Sequence, residues 1–120
     1  MELTYFRRGF GLKKEIQPIL AAQYHSSLVE EIRARGYTVT FGDITLRLAE
    51  QFGFCYGVDR AVDYAYETAL KFPDRRIFLV GEIIHNPHVN QRLRDLGITF
   101  LYPAENGEFD FSPITPADVV

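Results

Sequence analysis

The stretch FGFCYGVDRAV, residues 52–62, places the only cysteine of the chain between two glycines and directly before a run with helical spacing. Gly53 and Gly57 allow a tight turn of the backbone. The helix that follows offers free N–H groups and a partial positive charge beside Cys55, surroundings suited to a thiolate. A thiolate is both a nucleophile and a metal ligand. A small buried hydrophobe is the plain alternative for a lone cysteine, and the local pattern by itself does not choose between them. The second candidate is EIIHN, residues 82–86. His85 directly precedes an Asn–Pro helix start, where an imidazole is placed to donate hydrogen bonds to an anion, with local capping or packing as the alternative. Glu82 is a candidate to orient a ring nitrogen from behind, and an exposed loop carboxylate explains it equally well. His88, in the first turn of that helix, reads as an exposed surface residue, and His25 as a structural one. Arg75 and Arg76 beside Asp74 read as a solvated turn. The segment GFCYG lacks the G-x-G-x-x-G spacing of a dinucleotide site.

These residues need elements to hold them. Residues 1–18 have no clear period and read as an arm lying on the surface or on a partner. From Pro18, a first-turn residue, the apolar positions Ile19, Leu20, Tyr24, Leu28, Val29 and Ile32 predict one helix, stopped by Gly36. YTVTF and ITLRLA, separated by Gly42 and Asp43, alternate, and one or both are expected to be strands. After Cys55, the positions Val58, Ala61, Val62, Ala65, Ala69 and Leu70 form the stripe of a helix packed on a sheet, ended by the segment FPD. IFLVG, residues 77–81, is a continuous apolar run that fits a parallel strand covered on both faces. Asn86 as N-cap, Pro87 at the first helical position, a stripe of Val89, Leu93 and Leu96, and Gly97 past the end predict a second crossover helix. ITFLY is a further strand, a proline-broken loop follows, and the final DVV reads as the start of another. The alternation of strands and helices, beginning with ITLRLA, predicts an α/β fold with a small, mainly parallel sheet in a three-layer αβα lobe. Ligands of such sheets bind beyond the carboxyl ends of the strands, the edge to which this order assigns Cys55 and His85.

At 120 residues, with 47% hydrophobic and 24% charged residues, the chain suits one small globular domain. A net charge of −3 argues against nucleic acid or an anionic membrane as partner. No apolar run approaches the roughly 20 residues of a membrane span, and the start lacks the apolar segment of a signal peptide, so a cytoplasmic protein is expected. One cysteine implies no internal disulfide.

The pair of elements G-F-C-x-G-V-x-R-A and H-N-x-x-V-N-x-x-L, read in FGFCYGVDRAV and GEIIHNPHVNQRLRDLGI, resembles the N-terminal lobe of the LytB family, the hydroxymethylbutenyl diphosphate reductases of non-mevalonate isoprenoid synthesis. The earlier segments RRGFG, YHSSLVEEIR and GDITLRLA are similar to the longer N-terminus of one branch of that family. The resemblance implies an extension with one helix over residues 1–43, and over 44–120 the first of three α/β lobes, truncated at its C-terminus and so incomplete. It implies that Cys55 is one of three cysteines holding a [4Fe–4S] cluster. It implies that His85 binds the substrate diphosphate, with Glu82 and Asn86 as supporting candidates. It further implies reductive removal of the substrate hydroxyl, giving isopentenyl and dimethylallyl diphosphates. An electron donor such as ferredoxin or flavodoxin, and a plastid stroma location for a plant-like source, go with it. No catalytic residue is expected within these residues, because the proton-relay glutamate and the other ligands belong to the other lobes. Two other readings stay open: a Cys–His hydrolase with Cys55 as nucleophile and His85 as base, and a non-enzymatic α/β module packing on a partner.

Overall fold

The computed structural model describes residues 4–120, so the first three residues of the expected arm lie outside the described residues. The rest of the arm is docked. Phe6 and Phe10 form an aromatic triangle with Phe72, with ring centroids 5.0, 5.8 and 5.5 Å apart. The buried Glu67 carboxylate accepts from the backbone N–H of Phe10 at 2.6 Å and of Leu12 at 3.4 Å. Backbone and helix approach so closely here that a Cβ on Gly9 would lie 2.8 Å from the Tyr64 ring, which leaves glycine as the residue that fits.

The single helix expected from Pro18 is two helices, α1 (Lys13–Tyr24) and α2 (Ser27–Ala34). Pro18 lies inside α1 rather than in a first turn. The break falls at His25 and Ser26, where Ser26 is extended and its hydroxyl accepts from the Val29 N–H at 3.4 Å, an N-cap that starts a new helix. His25 is therefore an exposed junction residue and not a packed mid-helix one. α1 begins earlier than expected because Ile16, fully buried, anchors it to the core.

β1 (Thr38–Phe41) and β2 (Ile44–Arg47) form an antiparallel hairpin across the two-residue Gly42–Asp43 turn. This corrects the expectation that ITLRLA opens the parallel sheet: the nearest partner wins, because a two-residue loop closes at much lower entropic cost than a crossover. The helix α3 (Tyr56–Lys71) follows, then β3 (Ile77–Val80), α4 (Pro87–Asp95) and β4 (Ile98–Leu101). β3 and β4 pair in parallel with Ile77 opposite Ile98. On the other edge of β3, Val119 makes a parallel bridge to Ile77, with Phe78 N–H donating to Val119 O at 2.8 Å and Val119 N–H to Arg76 O at 2.9 Å. Val119 of DVV thus joins the sheet edge through a single bridge, and the architecture is the mixed α/β one, with a mainly parallel sheet, that the element order implies.

The core joins Ile16 of α1, Val62 and Tyr66 of α3, Val89 and Leu93 of α4, and Ile77 and Ile98 of the sheet. Leu79 and Phe100 pack against it from the same sheet face, since residues two apart share a face. Val80 alternates to the other face and is 42% exposed, so that face is covered at Phe78, which is buried, and open at Val80. Phe78 on that face is shielded in part by the Arg76 guanidinium, 5.2 Å from its ring centre. On α3 the buried side turns towards Asp63 and Glu67, and Leu70 is 45% exposed. The arm and Lys13, whose ammonium lies 3.6 Å from Asp63, cover these two acids and make their burial tolerable.

Arg76 is exposed at the end of the turn, as expected, but it is also bonded. Its guanidinium makes paired bonds of 2.8 and 2.6 Å to Asp118 and a third of 3.0 Å to Pro113 O, tying the last segment to the start of β3. These bonds, Arg76 foremost, pull the Asp118 carboxyl down to about 2. An aspartate ordinarily titrates near 3.9, so the folded value is the depressed one. The tether is then fully present above pH ~4 and is lost as pH falls towards about 2. Hydrogen exchange at the Phe78 and Val119 amides, corrected for intrinsic rates, should show protection falling across that window, and Arg76→Ala should abolish the fall. Protection that does not change between pH 4 and 2 would rule the tether out as a contributor.

Candidate functional site

Cys55 is exposed, which removes the buried-hydrophobe reading. It is the N-cap of α3, with extended backbone and Sγ accepting from the Val58 N–H at 3.5 Å. Gly53, at a φ of +118°, sets up the turn that delivers it, a conformation that side-chain-bearing residues rarely adopt. Phe54 next to it is packed against the core and meets Tyr24 edge-on at 5.9 Å, and Tyr24 in turn meets His88 at 6.3 Å. The end of α1 therefore braces both the Cys55 turn and the first turn of α4. His88 is exposed, as its position in the sequence suggests.

His85 has a side chain 97% exposed, and its Nδ1 lies 2.9 Å from Glu82 Oε2. Glu82 is thus placed as an orienting carboxylate. Asn86 is the N-cap of α4 and accepts from the N–H of His88 at 3.0 Å and of Val89 at 3.2 Å. The Asn90 N–H donates to Asn86 O at 3.0 Å, and Pro87 has no N–H to offer. Every backbone donor of this first turn is accounted for. An anion held here is bound by side chains, with the helix contributing its dipole rather than its amides.

Glu82, His85, Asn86, Pro87, Asn90 and Arg94 line a cavity of about 250 Å³. Sequence reasoning missed three polar residues around it. Arg94 was an anonymous charge on α4, and the signal for it is its place on the helix side away from Val89 and Leu93. Asn90 is 3% exposed; its Nδ2 donates to Ile84 O at 3.1 Å while its Oδ1 has no protein partner, which leaves an acceptor for a donor in the cavity. Its sequence signal is an amide beside Val89 in the apolar stripe. Tyr102 follows β4, and its hydroxyl donates to Glu82 Oε1 at 2.9 Å. Hydrogen bonds from His85 and then Tyr102 hold the Glu82 carboxyl below the usual carboxylate range, so it is an anion at neutral pH.

The structure does not join Cys55 to His85 by a hydrogen bond: Sγ takes the Val58 amide and the imidazole takes Glu82. A Cys–His hydrolase gains no support from this. Among the described residues, no group of three or more His, Cys, Asp or Glu is arranged to hold a metal ion. No helix is long and apolar enough among the described residues to cross a membrane.

The fold and site define an α/β lobe that presents one thiol and one imidazole from the N-termini of two consecutive helices. The chain belongs to the LytB protein family, whose match covers residues 46–118. It is 56% identical to a protein of Gloeobacter violaceus, over 98% of this chain and 29% of the relative. It is 53% identical to one of Thermosynechococcus vestitus and 52% identical to one of Nostoc sp., each again over 98% of this chain and 29% of the relative. All three relatives carry the name 4-hydroxy-3-methylbut-2-enyl diphosphate reductase. The chain thus spans 29% of the length of these curated relatives. No solved structure matches it.

Proposed function

We propose that these residues are the N-terminal part of an iron–sulfur reductase that removes the hydroxyl of (E)-4-hydroxy-3-methylbut-2-enyl diphosphate, yielding isopentenyl and dimethylallyl diphosphates. The observation that carries this reading is the exposed His85 imidazole, clasped on one nitrogen by Glu82 and open on the other, at the N-terminus of α4. The diphosphate fits this place. With Nδ1 on Glu82, Nε2–H of the protonated ring is free to donate to a phosphate oxygen, Arg94 lines the same cavity, and the helix dipole favours negative charge. Asn86 supports the site by capping α4, which leaves the side chains in charge of recognition.

Cys55 supplies one thiolate to a [4Fe–4S] cluster, its remaining ligands coming from elsewhere in the complete enzyme. Its exposure and the weak 3.5 Å contact at Sγ suit that role, because the sulfur is neither buried nor committed to a strong partner. When bound, such a cluster supplies both electrons and a Lewis acid. This chain's own contribution is to bind and orient the diphosphate. We further propose an extension over residues 1–43 and a first lobe over 44–120. The family match from residue 46 supports that division, and Ile16 in the shared core packs the extension onto the lobe. A small electron-carrying protein such as ferredoxin or flavodoxin, and a location in the cytoplasm or a plastid stroma, complete the proposal.

Steady-state turnover of a protein with the full length of the relatives tests this. His85→Ala should raise KM for the diphosphate about tenfold or more, since a charge-assisted hydrogen bond is worth about 1.5–3 kcal/mol. Iron content should stay unchanged. An unchanged KM accompanied by lost iron would move His85 from the substrate to the support of the metal.

A further inference from the structure

We propose that Tyr102, gripped by Arg94, is the positioning residue of the His85 site: its hydroxyl fixes the Glu82 carboxylate, and Glu82 then holds the imidazole with Nδ1 turned inward and Nε2 free. The chain of contacts begins in the core and ends in the open. Phe100 packs against the core, and the Arg94 guanidinium lies 4.6 Å from its ring centre. Arg94 Nη2 donates to the Tyr102 hydroxyl at 2.6 Å, that hydroxyl donates to Glu82 Oε1 at 2.9 Å, and Glu82 Oε2 faces His85 Nδ1 at 2.9 Å.

The need for such a chain follows from exposure. A ring 97% exposed has little packing to orient it, so its one carboxylate contact sets its direction. A carboxylate held only by a mobile ring would swing with it. The second bond, from Tyr102, ties the other oxygen to a residue on a different element, and Arg94 ties that residue to α4. An ionised carboxylate only accepts, so Nδ1 is the donating nitrogen, and Nε2 is the one left for a ligand, meeting an anion through Nε2–H when the ring is protonated. Since the first-turn amides of α4 are already used, the direction of this imidazole decides what the site can bind. The inference rests on the reading of His85 as an anion ligand only in its binding arm. The tautomer arm stands on geometry.

The test uses the 120-residue chain carrying 15N-labelled histidine, with His85 assigned by its loss in His85→Asn and the exposed His25 as internal reference. In the neutral ring, His85 should be held as the Nδ1–H tautomer. Tyr102→Phe, which keeps the ring and removes the hydroxyl, should shift it to a tautomer mixture resembling that of His25. The same variant should weaken binding of inorganic pyrophosphate about fivefold, since only part of the charge-assisted Tyr102–Glu82 bond reaches the ligand through the imidazole. An unchanged His85 tautomer in Tyr102→Phe overturns the proposal, whatever the pyrophosphate result. If Tyr102→Phe disturbs the fold, Arg94→Gln decides by the same spectrum, and again no tautomer change overturns it. A wild-type chain that fails to bind pyrophosphate, yet shows the tautomer shift, supports the positioning role and sinks the anion reading of His85.

Discussion

In a protein completed to the length of its relatives, Cys55→Ser should leave no stable iron after anaerobic reconstitution and desalting, while the apo-protein folds as before. Serine preserves the N-cap, because its hydroxyl accepts the Val58 amide at least as well as the thiol does at 3.5 Å. The fold therefore loses nothing at this position. What changes is ligand chemistry: a hard, protonated hydroxyl is a poor substitute for a soft thiolate on iron. Iron and acid-labile sulfide assays on the desalted protein provide the measurement, with circular dichroism as the folding control. Full iron with normal turnover would remove Cys55 from the centre.

Leu93→Ala should be the most damaging of the core truncations, at about 2–5 kcal/mol, which is a large part of the stability of a small domain. Leu93 is fully buried and joins α4 to the cluster formed by Ile16, Val62, Tyr66 and Ile98. A cavity there loosens the helix whose N-terminus carries Asn86 and supports His85. Leu70→Ala is the informative comparison. Sequence periodicity puts Leu70 on the buried stripe of α3, yet it is 45% exposed, so its truncation should cost about 0.5 kcal/mol or less. Urea unfolding of the two variants, compared at equal slope, distinguishes them. Equal costs at both positions would mean that α3 is rotated so as to bury Leu70.

The helix α4 was the most legible element, because its signals are local: an Asn cap, a Pro at the first position, Val89 and Leu93 at spacing four, and Gly97 beyond the end. Such features act within a few residues and survive any tertiary context. ITLRLA was misplaced for the opposite reason. A strand's alternation says which face is buried but not which strand lies beside it, and the turn at Gly42 and Asp43 supplied a nearer partner. The Arg76 tether was missed because its partner, Asp118, lies far along the sequence.

The sequence by itself determined the helix starts that carry Cys55 and His85, the parallel strands β3 and β4, and family membership through motifs whose meaning depends on residue type and short spacing. Only the tertiary structure decided how the site is held. Glu67 binding the arm, Tyr24 bridging Phe54 and His88, and Arg94 and Tyr102 setting Glu82 each join residues from different elements. The physical reason is that a hydrogen bond or an aromatic contact requires only proximity and geometry, and proximity between distant residues comes from packing the whole chain. No period or motif along the sequence records it.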